Sequence, residues 1–280
     1  MKQALFFAFG QAFDTYPIVL GFSFLLAFIY LLRAARYHHL DRIVVIDLAI
    51  VVLISSILGA KLLFIATRWQ EDYARLFQQL LHSWHQPLLA VDDVLRFWSG
   101  GLVFYGGFIA ASVAAIGYLF IRRLPIAVYC DLMAPAIGIG LGFGRGLGCF
   151  LAGCCFGRPT DLSWGVIFPP GAPSYLAYGP NCAVHPVQLY EAALAVVLAV
   201  ALHFYRQQAR YRGQVSAGFL IGYSVVRFGL EYFRGDLVRG YWGSLSTSQW
   251  ISLGVGLIGV GTMIFARARK IPNPARITER

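Results

Sequence analysis

The chain has 280 residues, of which 58% are hydrophobic and only 13% charged, and its mean hydropathy is +0.65. An average soluble domain carries about 25% charged residues, so this composition belongs in a bilayer and leaves too few polar residues for a separate soluble domain. The net charge of +10 does not imply nucleic acid, because the basic residues are scattered between apolar segments and form no stripe interleaved with aromatics.

A spanning helix needs about 20 mostly apolar residues. Seven segments qualify, near 18–32, 43–67, 100–120, 129–147, 189–205, 217–233 and 249–266. The expected fold is all-α and polytopic, one membrane domain over residues 1–280 with about seven transmembrane helices. The first segment has no basic region immediately before it and no small-x-small site after it, so it reads as a retained helix and not a cleaved signal peptide. Arg33, Arg36, Arg42, Arg122, Arg123, Arg206, Arg210, Arg212 and a basic tail over residues 267–280 fall in alternate loops. The positive-inside bias then puts the C-terminus in the cytoplasm and the N-terminus outside.

Between the second and third segments, residues 68–98 mix Trp, Leu and Phe with charge, which fits an amphipathic arm at the membrane interface or a plain connector. Residues 148–188, with their Gly, Pro and Trp content, read as a small ordered head on the outer face, inserted between the fourth and fifth helices. No internal repeat is visible, which weighs against an inverted-repeat transporter.

Ionisable groups at membrane depth are expensive, so each is a functional candidate. The fourth segment closes in "GIGLGFGRGLG", where Arg145 follows Gly144 among glycines that let backbones approach closely. The fifth opens in "HPVQLYE", whose His185, Gln188 and Glu191 share a helical face. In the sixth, Tyr223, Arg227, Glu231 and Arg234 form a polar stripe at i, i+4, i+8 and i+11. Two readings stay open for this stripe. Arg227 and Glu231 lock helix packing as a pair, or Arg227 offers a planar fork to a phosphate while Glu231 holds the guanidinium. With Arg145 as a second cation, the latter fits a phospholipid headgroup.

Asp47 and Lys61 are about 21 Å apart along a helix and cannot pair with each other. Asp131 reads as an interfacial charge or a helix cap, and His38, His39 and His203 as solvated or flanking groups. Four of the five cysteines, Cys149, Cys154, Cys155 and Cys182, fall on the expected outer side. Their C-x4-CC and remote C-x2-H spacing departs from the paired ligands of structural zinc sites, so no metal and no other cofactor is expected. A disulfide from Cys182 to one of the other three, or a catalytic thiol, remains open, and Cys130 is expected to be a free thiol.

The stretches "GGLVFYGGFIA", "GRGLGCFLAGCCFGRPTDLSWGVIFP", "HPVQLYEA", "GYSVVRFGLEYFRGD" and "LSTSQWISL" together resemble the prolipoprotein diacylglyceryl transferases over most of the chain. The resemblance implies an enzyme of the bacterial inner membrane. It would move the diacylglyceryl group of phosphatidylglycerol onto the lipobox cysteine of a preprolipoprotein signal peptide and release glycerol phosphate. It also implies roles for Arg145, which opens the family signature, for Arg227, the second essential arginine, for Tyr223, four residues before it, and for Gly157 and Arg158, which close the signature. The catalytic set so implied is Arg145, Arg227, Tyr223, Tyr105 and His185, with Gly144, Gly157, Arg158, Glu191 and Glu231 joining the two arginines in substrate binding. Tyr105 stands where the family has a histidine, Cys149 where it has an asparagine, Cys154 where it has an acidic residue and Leu20 where it has a tyrosine, and one extra residue lies between Arg145 and Cys149. The alternatives are a phospholipid or anion transporter, a structural membrane partner, or an inactive paralogue that binds lipid.

Overall fold

The computed structural model describes residues 4–8, 11–83, 94, 98, 101–235 and 240–272. The later part of the connector after residue 83, Arg239 and the tail beyond Pro272 lie outside the described residues. The chain divides into two compact units, residues 1–40 with 127–280, and residues 41–126.

The smaller unit pairs α2 (Arg42–Thr67) with α4 (Phe104–Ile121). Asp41 starts α2 by accepting the Ile43 amide at 2.8 Å. The two helices meet through glycine: a methyl group on Gly107 would stand 2.7 Å from the Ser56 carbonyl, and one on Gly59 would stand 2.5 Å from the Gly106 carbonyl. Small residues give membrane helices this close contact where lipid removes the hydrophobic drive to associate. Both membrane-depth charges of the unit are satisfied inside it. Lys61, 1% exposed, donates to the Tyr73 hydroxyl at 3.2 Å and lies over the rings of Phe64, Tyr73 and Trp98, while Asp47 accepts the Tyr118 hydroxyl at 2.8 Å. The start of the connector is a π-helical turn, Trp69–Tyr73, followed by α3 (Ala74–Ser83), which exposes Phe77 and Leu81.

The larger unit opens with an antiparallel hairpin, β1 (Ala4–Ala8) and β2 (Gln11–Asp14), followed by α1 (Thr15–Tyr37). Next come α5 (Ile126–Phe143), a π-helical turn (Gly144–Cys149), the single turn α6 (Phe150–Ala152) and the short α7 (Pro173–Tyr178). The long α8 (Val187–Gln208), α9 (Gln214–Leu230), the hairpin β3 (Tyr241–Trp242) and β4 (Leu245–Ser246), and α10 (Thr247–Arg269) complete it. The fold is mostly helical, as expected. Among the described residues, six helices are long and apolar enough to cross a membrane. The segment expected near 217–233 is α9, which has 17 residues before the chain tightens into a 3₁₀ turn at Glu231–Phe233.

Burial is inverted relative to a soluble protein. Phe120 is 74% and Leu257 72% exposed, whereas Lys61 and Glu191 are each 1% exposed. Three buried hydroxyls of the long helices bond to their own helix backbone, as hydrocarbon requires. Ser23 donates to the Val19 carbonyl, Ser224 to Leu220 and Ser252 to Ser248. A capping box starts α10, with Ser246 and Gln249 exchanging side-chain and backbone bonds at 3.2 and 3.0 Å.

Asp131 is a helix cap, but of another helix than its own. From α5 its carboxylate accepts the amides of Gly213 at 2.6 Å and Ser216 at 2.8 Å, and the Ser216 hydroxyl at 2.9 Å. It therefore caps α9, where orphan amides and the helix dipole both favour an anion. Two histidines read as bland are also engaged. His203 shares a 2.9 Å bond with the Tyr30 hydroxyl, and His38 is half-buried, its pKa pushed down to about 4 by burial and then by the Arg206 charge.

Asp131→Ala is expected to destabilise the protein by about 2 kcal/mol through loss of the cap. Heat unfolding in detergent, followed by circular dichroism, checks this, with Asp131→Asn falling between Ala and the parent.

Candidate functional site

The site assembles where α5 ends. In place of a regular α-helical turn, Gly144–Cys149 is π-helical, a form that holds one more residue per turn and concentrates at functional sites. A Cβ on Gly144 would meet Ser23 Oγ at 3.9 Å and Leu20 Cδ1 at 4.0 Å, ordinary contacts, so the turn packs against α1 here.

Arg145 points its Nε at Glu191 Oε1, 3.4 Å away, and donates its Nη1 to Cys155 Sγ at 3.4 Å and to Cys149 Sγ at 3.7 Å. Glu191 comes from the first turns of α8, which begins just after Pro186, and its second partner is the Tyr223 hydroxyl of α9 at 2.8 Å. One turn further along α9, Arg227 Nη1 pairs with Glu231 Oε2 at 3.0 Å and its Nη2 donates to Ser248 Oγ of α10 at 3.1 Å. Arg145, Glu191 and Tyr223 thus form one linked set and Arg227, Glu231 and Ser248 a second, each guanidinium steered by its own carboxylate.

The other expected residues have different surroundings. The His185 ring packs on Phe233 and Tyr190, with Nδ1 3.4 Å from the Tyr190 hydroxyl, and among the described residues no hydrogen bond joins it to Arg145 or Arg227. Gly157 serves close approach, since a Cβ there would stand 2.5 Å from the His185 carbonyl. Arg158 spends its Nε on the Arg234 carbonyl at 3.2 Å and so ties the head to the end of α9. Tyr105 belongs to the smaller unit, on the first turn of α4, and is 45% exposed.

All five cysteines are free, so the disulfide weighed for Cys182 is not formed. Cys182 instead packs against the core of the head, built by Phe156, Phe168, Ala172 and Val184. The other three converge: the Sγ atoms of Cys149, Cys154 and Cys155 lie within 4.8 Å of one another. Left-handed backbone at Gly153 (φ +66°) and Cys155 (φ +59°) turns the chain so that adjacent cysteines meet Cys149. Hydrogen bonds from the Cys149 and Cys154 thiols, aided by the charges of Arg145 and Arg234, hold the Cys155 pKa below its ordinary value against the effect of burial. Gln188, 1% exposed, fixes this loop by donating to the Cys154 carbonyl at 2.7 Å. Sequence reasoning missed this convergence and the contribution of Ser248. The cysteine spacing alone carried no sign of the first, because it depends on two left-handed residues.

The family model for prolipoprotein diacylglyceryl transferase matches residues 4–265. A phosphatidylglycerol–prolipoprotein diacylglyceryl transferase of Clostridium tetani is 34% identical over 272 residues, which cover 96% of this chain and 100% of the relative. Proteins of the same name from Paraburkholderia xenovorans and Bordetella bronchiseptica are 32% and 37% identical. The first alignment covers 80% of this chain and 77% of the relative, the second 68% and 69%.

Glu191→Ala is expected to cost about 3–5 kcal/mol of stability, because Arg145 stays buried without its carboxylate. Tyr223→Phe, which removes one hydrogen bond, is expected to cost about 1 kcal/mol. Heat unfolding of the two variants side by side gives both values.

Proposed function

Since the chain belongs to the prolipoprotein diacylglyceryl transferase family, we propose that it transfers the diacylglyceryl group of phosphatidylglycerol to the lipobox cysteine of preprolipoprotein signal peptides. The thiol sulfur attacks the glycerol carbon that carries the phosphate, a thioether forms, and glycerol phosphate leaves. The supporting observation is the pair of carboxylate-steered guanidiniums, Arg145 held by Glu191 with Tyr223 and Arg227 held by Glu231 one turn further along α9.

The charge that develops in this reaction sits on the departing phosphate. Donors fixed in advance within a dry site stabilise such charge more than water does, since they need not reorganise as the bond breaks. Arg145 and Arg227 fill this role. Glu191 and Glu231 orient them, and Tyr223 holds Glu191. Gly144, Gly157 and Arg158 shape the surrounding wall. A free thiol has a pKa of about 8.5, so the nucleophile also has to lose a proton. Of the candidates to accept it, the His185 ring is turned to Tyr190, and Tyr105 stands partly exposed on the first turn of α4.

Following the distribution of basic residues, the head of residues 148–188 faces the outside of the bacterial inner membrane and the tail of residues 267–280 the cytoplasm. In that orientation the thiol cluster would lie on the side where signal peptides emerge.

Purified protein incubated with phosphatidylglycerol and a lipobox peptide is expected to yield a diacylglyceryl thioether detectable by mass spectrometry. Arg227→Ala is expected to lower turnover by about 10²–10³, the cost of losing one preorganised donor, and Arg227→Lys to recover little, because an ammonium lacks the planar fork. Folded parent protein that yields no thioether would overturn the reading.

A further inference from the structure

The cysteine cluster has the composition of a metal site with one place left open. At the usual zinc–sulfur length, about 2.3 Å, tetrahedral thiolates stand about 3.8 Å apart, and the three Sγ atoms here already lie within 4.8 Å of one another. Among the described residues the cluster holds three ligands and no fourth Cys, His, Asp or Glu. Structural zinc sites close with four protein ligands, whereas catalytic ones keep three and leave a position for substrate.

The surroundings suit such an ion in charge and in rigidity. Three thiolates around a divalent cation leave one negative charge, and the Arg145 guanidinium donates to two of the sulfurs that carry it, Cys155 Sγ and Cys149 Sγ. Hydrogen bonds of this kind to ligand atoms orient and tune a metal site. The left-handed backbone of Cys155 is strained and persists only where its surroundings hold it. The buried Gln188 amide braces the loop through the Cys154 carbonyl, and its own Oε1 is buried with no hydrogen-bond partner, an acceptor left for an incoming group.

We propose that Cys149, Cys154 and Cys155 bind a zinc ion whose fourth position receives the thiol of the lipobox cysteine. This protein would thus activate its nucleophile at the sulfur and not through a side-chain base. The binding of the ion stands on the geometry alone, while its use in catalysis rests on the transferase reading above.

A metal-coordinated thiol is deprotonated outright, so the incoming thiol gives its proton to water as it binds. Its sulfur then forms the C–S bond to the glycerol carbon. The C–O bond to phosphate breaks, and the electron pair leaves on the oxygen of glycerol phosphate, next to Arg145 and Arg227. Nothing is oxidised or reduced. Arg145 touches both the ligands that hold the nucleophile and the anion that departs.

The test uses the full chain purified in detergent without chelator. Metal analysis is expected to find about one zinc per chain, and Cys155→Ser to bind zinc at least about tenfold more weakly. Cys130→Ser and Cys182→Ser, outside the cluster, are expected to keep it. Cobalt in place of zinc is expected to show thiolate-to-metal absorption that changes when a lipobox peptide is added and stays unchanged with its Cys→Ser counterpart. Folded protein without zinc and without the cobalt absorption would overturn the site, as would zinc that Cys155→Ser leaves undiminished. The two readings fail separately: thioether formation by metal-free protein removes the zinc proposal alone, and a zinc-loaded, folded protein that makes no thioether removes the transferase reading alone.

Discussion

A carboxylate that is 1% exposed inside an apolar bundle has to be met by cations or donors, and Glu191 is met by Arg145 from the π-helical turn and by Tyr223 from α9. Three segments far apart in sequence are held at one point by this contact. Without it, Arg145 would keep its charge in a place that hydrates it poorly, and such an orphaned charge costs more than the pair contributes. The same constraint shapes the next turn of α9, where Arg227 has Glu231 and the Ser248 hydroxyl. Under the proposed function, stability and catalysis therefore share residues here. The groups that keep the guanidiniums tolerable inside the bundle are those that aim them.

Much of this was legible in the sequence because the rules of hydrocarbon are strict. Apolar length located the membrane helices, and the cost of burying charge singled out Arg145, Arg227, Glu191 and Glu231 before any geometry was known. The four-residue spacing of Tyr223, Arg227 and Glu231 placed them correctly on one face. What stayed hidden depended on contacts across long stretches of chain or on local backbone. Asp131 caps a helix that starts 82 residues later, at Gly213, and no periodicity announces a cap that comes from another helix. The cysteines meet only because Gly153 and Cys155 adopt left-handed angles. His185 shares a helical face with Glu191 in a naive count, but Pro186 precedes the helix and leaves the histidine in the head.

Backbone bonds help attach the head to the end of α9. The Arg158 amide donates to the Phe233 carbonyl and the Gly235 amide to the Phe156 carbonyl, at 2.8 and 3.1 Å. The Gly157 amide closes the head on itself through the His185 carbonyl at 3.0 Å. Glycine at 157 and 235 permits this approach, because a side chain at 157 would run into His185 and one at 235 would stand 2.7 Å from the Tyr178 hydroxyl. Main-chain bonds of this kind join the Gln188 side chain in positioning the loop of Cys154 and Cys155.

The π-helical turn at Gly144–Cys149 also sets an angular phase. On an α-helix each residue advances the side-chain direction by about 100°, so one residue more or fewer between Arg145 and Cys149 rotates everything after it by that amount. The turn acts as a vernier between two halves of the chain: upstream it leaves α5 packed as it is, and downstream it decides which side chains face the guanidinium. In a protein of the same length but without this widened turn, sulfur would point elsewhere, and another residue would become the neighbour of Arg145. The identity of that neighbour is therefore a matter of helical register as much as of amino-acid substitution.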